Sequence, residues 1–291
     1  MGSAPLNGKG RAGATAPHGD GGRVRREIAH GRFLCDRGPE SVWNWGTPAG
    51  RLRWRRREAL LTTGVGPGTA VLEIGCGTGS LAAALAGLGA SVTAMDVSEP
   101  LLSEARKKVG EGKALFLRGD AHGLPFRTGS FHRVLGSSIL HHLNLERALP
   151  EILRVLKPGG RIAFAEPNLV NPQVLAMKKL SFFGRWMGES PDETAFIRWK
   201  LGRVLRSRGF SRVRIVPFDF LHPLLPAAAL DFSAAFCFML EKIPLLREAA
   251  GSLFISAEKE GAGPGAEGGT RAPGGPAGGG IGISKGGEDD R

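Results

Sequence analysis

The chain has 291 residues, 42% of them hydrophobic, enough to bury one substantial core. Its formal charge of +12 admits nucleic acid or an anionic membrane surface as partners. The three cysteines, Cys35, Cys76 and Cys237, are far apart and form neither a CxxC nor a Cys/His cluster. That argues against a disulfide framework or a metal site, so free thiols are expected.

Residues 1–22 are rich in Gly, Ala and Pro, and residues 261–291 are Gly/Pro-dominated with only Ile281 and Ile283 as large aliphatics. Neither can bury enough apolar surface to offset ordering entropy, and both are expected to be disordered tails. No apolar signal-peptide core opens the chain, and no stretch reaches the roughly 18 to 20 apolar residues that span a bilayer. A cytoplasmic protein is expected, with peripheral membrane contact as an open option. Residues 23–63 read as an N-terminal helical cap, whose Trp43, Trp45 and Trp54 either close over a site or pack a helix onto the sheet. Within it, Arg51, Arg53, Arg55, Arg56 and Arg57 are expected on a solvated helix face rather than a phosphate-binding one, with Leu52, Ala59, Leu60 and Leu61 turned inward.

Residues 64–260 read as one α/β domain. Short apolar runs at Ala70–Ile74, Ser91–Met95, Arg133–Gly136 and Arg161–Ala165, with a weaker one at Ala114–Leu117, alternate with helical patterns at Gly79–Gly87, Glu99–Val109 and Leu145–Leu156. Such alternation predicts a doubly wound parallel sheet with crossover helices. Lys157-Pro158-Gly159-Gly160 reads as a turn into the fifth strand. Further on come a helix through Arg208, a strand at Arg212–Val216 and a final strand at Ser252–Ala257. Between those strands lies an apolar insertion, residues 217–246, whose prolines suggest short helices.

The first strand runs into Gly75-Cys76-Gly77-Thr78-Gly79 and then a helix, an arrangement that lets the backbone approach a nucleotide cofactor. Asp96 ends the second strand, where a carboxylate can accept from both ribose hydroxyls, and Asp120 follows the third, where it can meet an adenine amino group. The position that would hold the last glycine of a dinucleotide fingerprint is Ser80, and Glu73 stands two residues before the first glycine. A concentrated anionic charge suits a sulfonium better than a pyrophosphate.

With Leu149–Phe164, which supplies a helix, a Pro-Gly-Gly turn and a strand, these motifs resemble the class I S-adenosylmethionine-dependent methyltransferases, and within them the ubiquinone/menaquinone methyltransferase-like, type 11 group. The resemblance implies a Rossmann-like, doubly wound seven-stranded sheet with an antiparallel last strand and helical insertions at the active-site edge. It implies S-adenosyl-L-methionine as cofactor, with its methionine part over Glu73, Gly75 and Gly77, ribose on Asp96, and adenine between Val97 and the Asp120-Ala121 edge. Ser137 matches a position near the methionine end.

Candidate proton acceptors are His141, His142 and Glu166, all near carboxyl ends of strands. Asn168, Asn171 and Gln173 either orient a polar acceptor or mark turns. No (Asn/Asp)-Pro-Pro-(Tyr/Phe) follows the fourth strand, where Ser137-Ser138-Ile139-Leu140 stands instead, so methylation of a nucleobase amino group is not expected. The expected acceptor is a small molecule with an apolar part, taken at oxygen or carbon. An envelope sugar, RNA, or a non-catalytic cofactor-binding role remain the alternatives, and the oligomeric state is open.

Overall fold

A strand whose neighbours cover it on both faces reads as an unbroken apolar run, because successive side chains point to opposite sides and both sides are dry. The computed structural model, which describes residues 21–38, 42, 44–179 and 195–261, packs apolar side chains on both faces of β1 (Ala70–Ile74), β2 (Ser91–Asp96) and β4 (Phe131–Ser137), although Glu73, Thr93, His132 and Arg133 interrupt the apolar run. Leu72, Ile74 and Val134 join one cluster, with Leu149, Ile152 and Val155 of α5 (Leu145–Val155); Val71, Val92 and Leu135 join another, with Leu81 and Leu85 of α3 (Ser80–Gly87) and Leu102 of α4 (Glu99–Val109).

The remaining strands are β3 (Leu115–Arg118), β5 (Leu156–Pro167), β6 (Phe210–Phe218) and β7 (Ser252–Lys259). The sheet order is β3-β2-β1-β4-β5-β7-β6. Neighbours from β3 to β5 run parallel, and β7 is antiparallel to both β5 and β6, as the resemblance implies. Chain order reverses between β1 and β4. A doubly wound sheet opens a crevice at such a point, outside the carboxyl ends of its strands.

Helices flank this frame. Before the sheet come α1 (Gly21–Arg37) and α2 (Pro48–Leu61). After β5 come α6 (Pro172–Lys179) and α7 (Arg198–Ser207), and between β6 and β7 stand α8 (Leu230–Leu240) and α9 (Pro244–Arg247). Helix α4 begins on Glu99 and ends in Arg106, Lys107 and Lys108 before a left-handed Gly110, a charge order that complements the helix dipole.

Two local expectations need correction. The Lys157–Gly160 turn does not precede β5; it lies inside it as a bulge, because Phe131 pairs with Leu156 while Arg133 pairs with Arg161. The arginines of α2 do not share a solvated face. The helical period carries Arg53 and Arg57 to the same side as buried Gly50 and Leu61, leaving Arg51 and Arg55 exposed, and Ala59, expected inward, is exposed as well. Trp43, the apolar residues Leu180, Phe182, Phe183, Trp186 and Met187 expected at the active-site edge in the segment after the fifth strand, and residues 1–20 and 262–291 of the expected tails lie outside the described residues.

Candidate active site

A cavity of about 870 Å³ opens at the switch point, within the size range of small-molecule and cofactor sites. Its floor is the turn after β1. Gly77 has φ +52 and nothing within 4 Å of where a Cβ would stand, so bare backbone faces open space; at Gly79, φ +77, a Cβ would come within 2.9 Å of Ala105 on α4. One glycine leaves room for a ligand, and the other lets two helices meet.

Asp96 holds this turn from β2. One oxygen accepts the Gly77 N–H at 2.9 Å and the other the Ser98 N–H at 2.9 Å. Burial pushes its pKa up, opposed by those amides, and each oxygen keeps a further lone pair for a hydroxyl. The N-cap of α4 is Ser98 and not Asp96, so this carboxylate braces the turn and keeps acceptor capacity toward the cavity. Asp96→Ala is expected to weaken cofactor binding by about 1 to 3 kcal/mol in calorimetry, the loss of charge-assisted hydrogen bonds.

Glu73 is 2% exposed, lines the cavity, and its Oε2 has no hydrogen-bond partner among the described residues. Burial, and then the neighbouring Asp96, raise its pKa well above the carboxylate range. A buried carboxylate left without a partner is costly unless a cation completes the site. S-adenosylmethionine, whose sulfonium and ammonium are both positive, supplies such a cation, and Glu73 suits it. Gly75, Cys76, Thr78, Val97, Ala121 and Ser137 line the same cavity.

Asp120 lines the cavity, and His122, two residues on and without an expected role, holds it in place. The His122 Nδ1–H donates to Asp120 at 2.6 Å, and His122 Nε2 accepts the Asn144 N–H at 2.9 Å, which ties the loop after β3 to the start of α5. The His122 hydrogen bond, outweighing burial, holds Asp120 below its ordinary pKa.

The three candidate proton acceptors separate in the structure. His141 and His142 line the cavity with ring centroids 4.2 Å apart, and His142 Nδ1 lies 3.1 Å from Glu27 on α1. Glu166 has no exposed surface: Oε1 accepts the Ile139 and Leu140 N–H groups at 3.0 and 2.8 Å, and Oε2 lies 2.6 Å from His141 Nδ1. Burial alone would raise its pKa, yet His141 and the two amides hold it below the ordinary value. Asn168 is a structural residue, its amide donating to the Glu248 and Ala250 carbonyls; Asn171 caps α6 through the Val174 N–H.

The cap region contributes what local sequence could not assign. Val24, His30 and Leu34 of α1, then Trp45 and Trp54, form the cavity's outer wall with Phe220 and Leu221 from the insertion. Arg53 pairs with Asp219 at 2.8 Å, Arg56 pairs with Glu241, and Arg57 turns inward, 4% exposed, onto Ser137, Ser138 and Ser252.

Comparison with known proteins agrees with this geometry. The methyltransferase-domain family matches residues 72–164. A demethylmenaquinone methyltransferase of Clavibacter sepedonicus is 42% identical over 117 residues, 39% of this chain and 46% of that one. Another, from Parafrankia sp., is 30% identical over 207 residues, covering 59% of this chain and 82% of its own length. The chain thus spans about half the length of several of the curated relatives it matches. In fold, it is similar to a possible histamine N-methyltransferase from Thermotoga maritima, with TM-score 0.61 and 20% identity over 81% of this chain and all of that one. The glycine turn, its two carboxylates and this kinship place the chain in the class I S-adenosylmethionine-dependent methyltransferase family.

Proposed function

We propose that this chain transfers a methyl group from S-adenosylmethionine to an oxygen or carbon of a small molecule with a substantial apolar part. The observation that carries the reading is one continuous cavity, with Glu73 and Asp96 on its floor and Trp45, Trp54, Phe220 and Leu221 in its outer wall. The demethylmenaquinone methyltransferases among the relatives favour a ring-bearing, apolar acceptor.

When bound, the cofactor supplies a methyl group already activated on a positively charged sulfur. The protein's part is then to position and to balance charge. Glu73 faces the cationic end, Asp96 the ribose, and Asp120 with Ala121 and Val97 the adenine. Residues 23–63 act as a cap and, with the start of the 217–246 insertion, keep water from the acceptor. If the acceptor must lose a proton, His141 and His142 are the groups that take it. Glu166 fixes the His141 Nδ1–H, leaving Nε2 as the basic nitrogen, so its role is orientation rather than contact with the acceptor.

Among the described residues no helix is long and apolar enough to cross a membrane. The insertion nevertheless exposes Phe232 at 80%, Leu245 at 83%, and Phe236, Phe238 and Met239 near one half. Exposed apolar surface of this extent beside a site suits peripheral contact with lipid, from which an apolar acceptor would be drawn. Incubation with methyl-labelled cofactor and a panel of naphthols, naphthoquinols, sugars and RNA should place label in the organic phase. Label confined to sugars or RNA would overturn the reading. Changing Phe236 and Phe238 together to Ser is expected to abolish liposome sedimentation while S-adenosylhomocysteine affinity is retained; unchanged sedimentation would remove the lipid contact.

A further inference from the structure

A cationic side chain removed from water normally sits against a carboxylate, because desolvation of the charge is otherwise uncompensated. Arg57 departs from this pattern. Its Nη1 donates to Ser137 Oγ at 3.1 Å and Ser138 Oγ at 2.9 Å, and its Nη2 to Ser252 Oγ at 2.9 Å. All three partners are neutral hydroxyls, brought to one point from the ends of β4 and β7. Among the described residues no carboxylate lies within ion-pairing distance of Arg57, the nearby Asp219 being taken by Arg53. Its Nε–H is buried with no partner, and the guanidinium carbon stands 5.4 Å from the centre of the Trp45 ring. Arg57, all three serines and Trp45 line the cavity that holds Glu73 and Asp96.

A guanidinium carries five N–H donors. Three are committed here and the Nε–H is not, so an arriving anion finds a fixed cation with donor capacity left. The serines orient the group without neutralising it. Burial, and then the like charge of Arg53, lower its pKa to about 10, which still leaves it charged at neutral pH.

We propose that Arg57 anchors an anionic oxygen of the acceptor, so that the cavity selects flat apolar rings bearing a phenolate or a carboxylate. The inference rests on the methyltransferase reading and adds the charge of the substrate to it. It makes Arg57 a specificity-determining residue rather than a basic surface group.

The test uses the full chain loaded with S-adenosylhomocysteine, whose binding is measured first by calorimetry. Titration then compares 2-naphthoate with 2-naphthamide, equal in shape and different in charge, with Trp45 fluorescence as a second readout. We expect the anion to bind at least about tenfold more tightly than the amide, the scale of one charge-assisted hydrogen bond. Arg57→Met is expected to abolish that preference, with amide affinity kept within about threefold, and Arg57→Lys to retain part of it. A 2-naphthol arm separates the two sources: tighter binding of 2-naphthol than of 2-naphthoate assigns a phenolate site, and the reverse a carboxylate site. Equal affinity for anion and amide, no binding of either, or a preference that survives Arg57→Met would overturn the proposal. The wild-type comparison decides even if Arg57→Met does not fold. Failure to bind S-adenosylhomocysteine in the first step would instead count against the methyltransferase reading.

Discussion

Glu166→Ala is expected to destabilise the protein by about 3 kcal/mol or more, because each buried donor left without its acceptor costs roughly 1 to 3 kcal/mol. The side chain has no solvent exposure and satisfies three donors at once: the Ile139 and Leu140 amides and His141 Nδ1. Its loss leaves two amides in the short helical turn after β4 without an acceptor, and that turn carries both cavity histidines. Urea unfolding followed by circular dichroism checks the magnitude. The pH dependence has a definite sign. The folded-state pKa of Glu166 is depressed, so its stabilisation is present above the unfolded value of about 4.5 and is lost as pH falls through the folded value. The wild type should therefore lose stability on acidification more steeply than Glu166→Gln. Equal acid limbs would show that the ionised Glu166 carboxylate does not stabilise this turn.

Glu73→Gln is expected to act in opposite directions on stability and on binding. The folded-state pKa of Glu73 is raised by burial and then by Asp96, so its ionisation opposes folding: stability is lost as pH rises above the unfolded value of about 4.5, up to the folded value. Replacing the ionisable carboxyl by a neutral amide should raise the stability of the ligand-free protein at neutral pH, because the ionisation that opposes folding is removed. The same change should weaken S-adenosylmethionine binding by about 1.5 to 3 kcal/mol, or roughly 10- to 150-fold, since it removes the anion facing the cationic end. A purely structural Glu73 would give losses in both thermal melting and titration. A rise in melting temperature together with a fall in affinity is the signature of a carboxylate held for a ligand.

These two glutamates also mark how far the sequence could be read. Strands β1, β2 and β4 announced themselves because both their faces are buried, and the glycines of the turn did so because their backbone shape excludes side chains at fixed spacing. Such signals are local. Asp96 was legible for the same reason, standing at a strand end one helix after the turn. Arg57 was not, because its partner Ser252 lies 195 residues away and it stands in a run of arginines that reads as one solvated face. The inward face of α2 becomes visible only when Asp219 and Glu241 from the insertion reach Arg53 and Arg56. His122 was not legible, since nothing in Asp120-Ala121-His122 reveals that Asn144 will donate to the ring. The Pro-Gly-Gly bulge was misplaced by one element because turn residues give the bend and not the pairing on either side of it.

The cavity at the switch point suits a cationic nucleoside rather than a dinucleotide. Isothermal titration of the ligand-free chain with S-adenosylmethionine, S-adenosylhomocysteine and NAD tests it directly. Saturable one-to-one binding of the first two, abolished or strongly weakened by Glu73→Gln and Asp96→Ala, with no heat from NAD, is the predicted result. Absence of binding to correctly folded protein up to about millimolar ligand, a ceiling worth only about 4 kcal/mol, or equal binding of NAD, would contradict it.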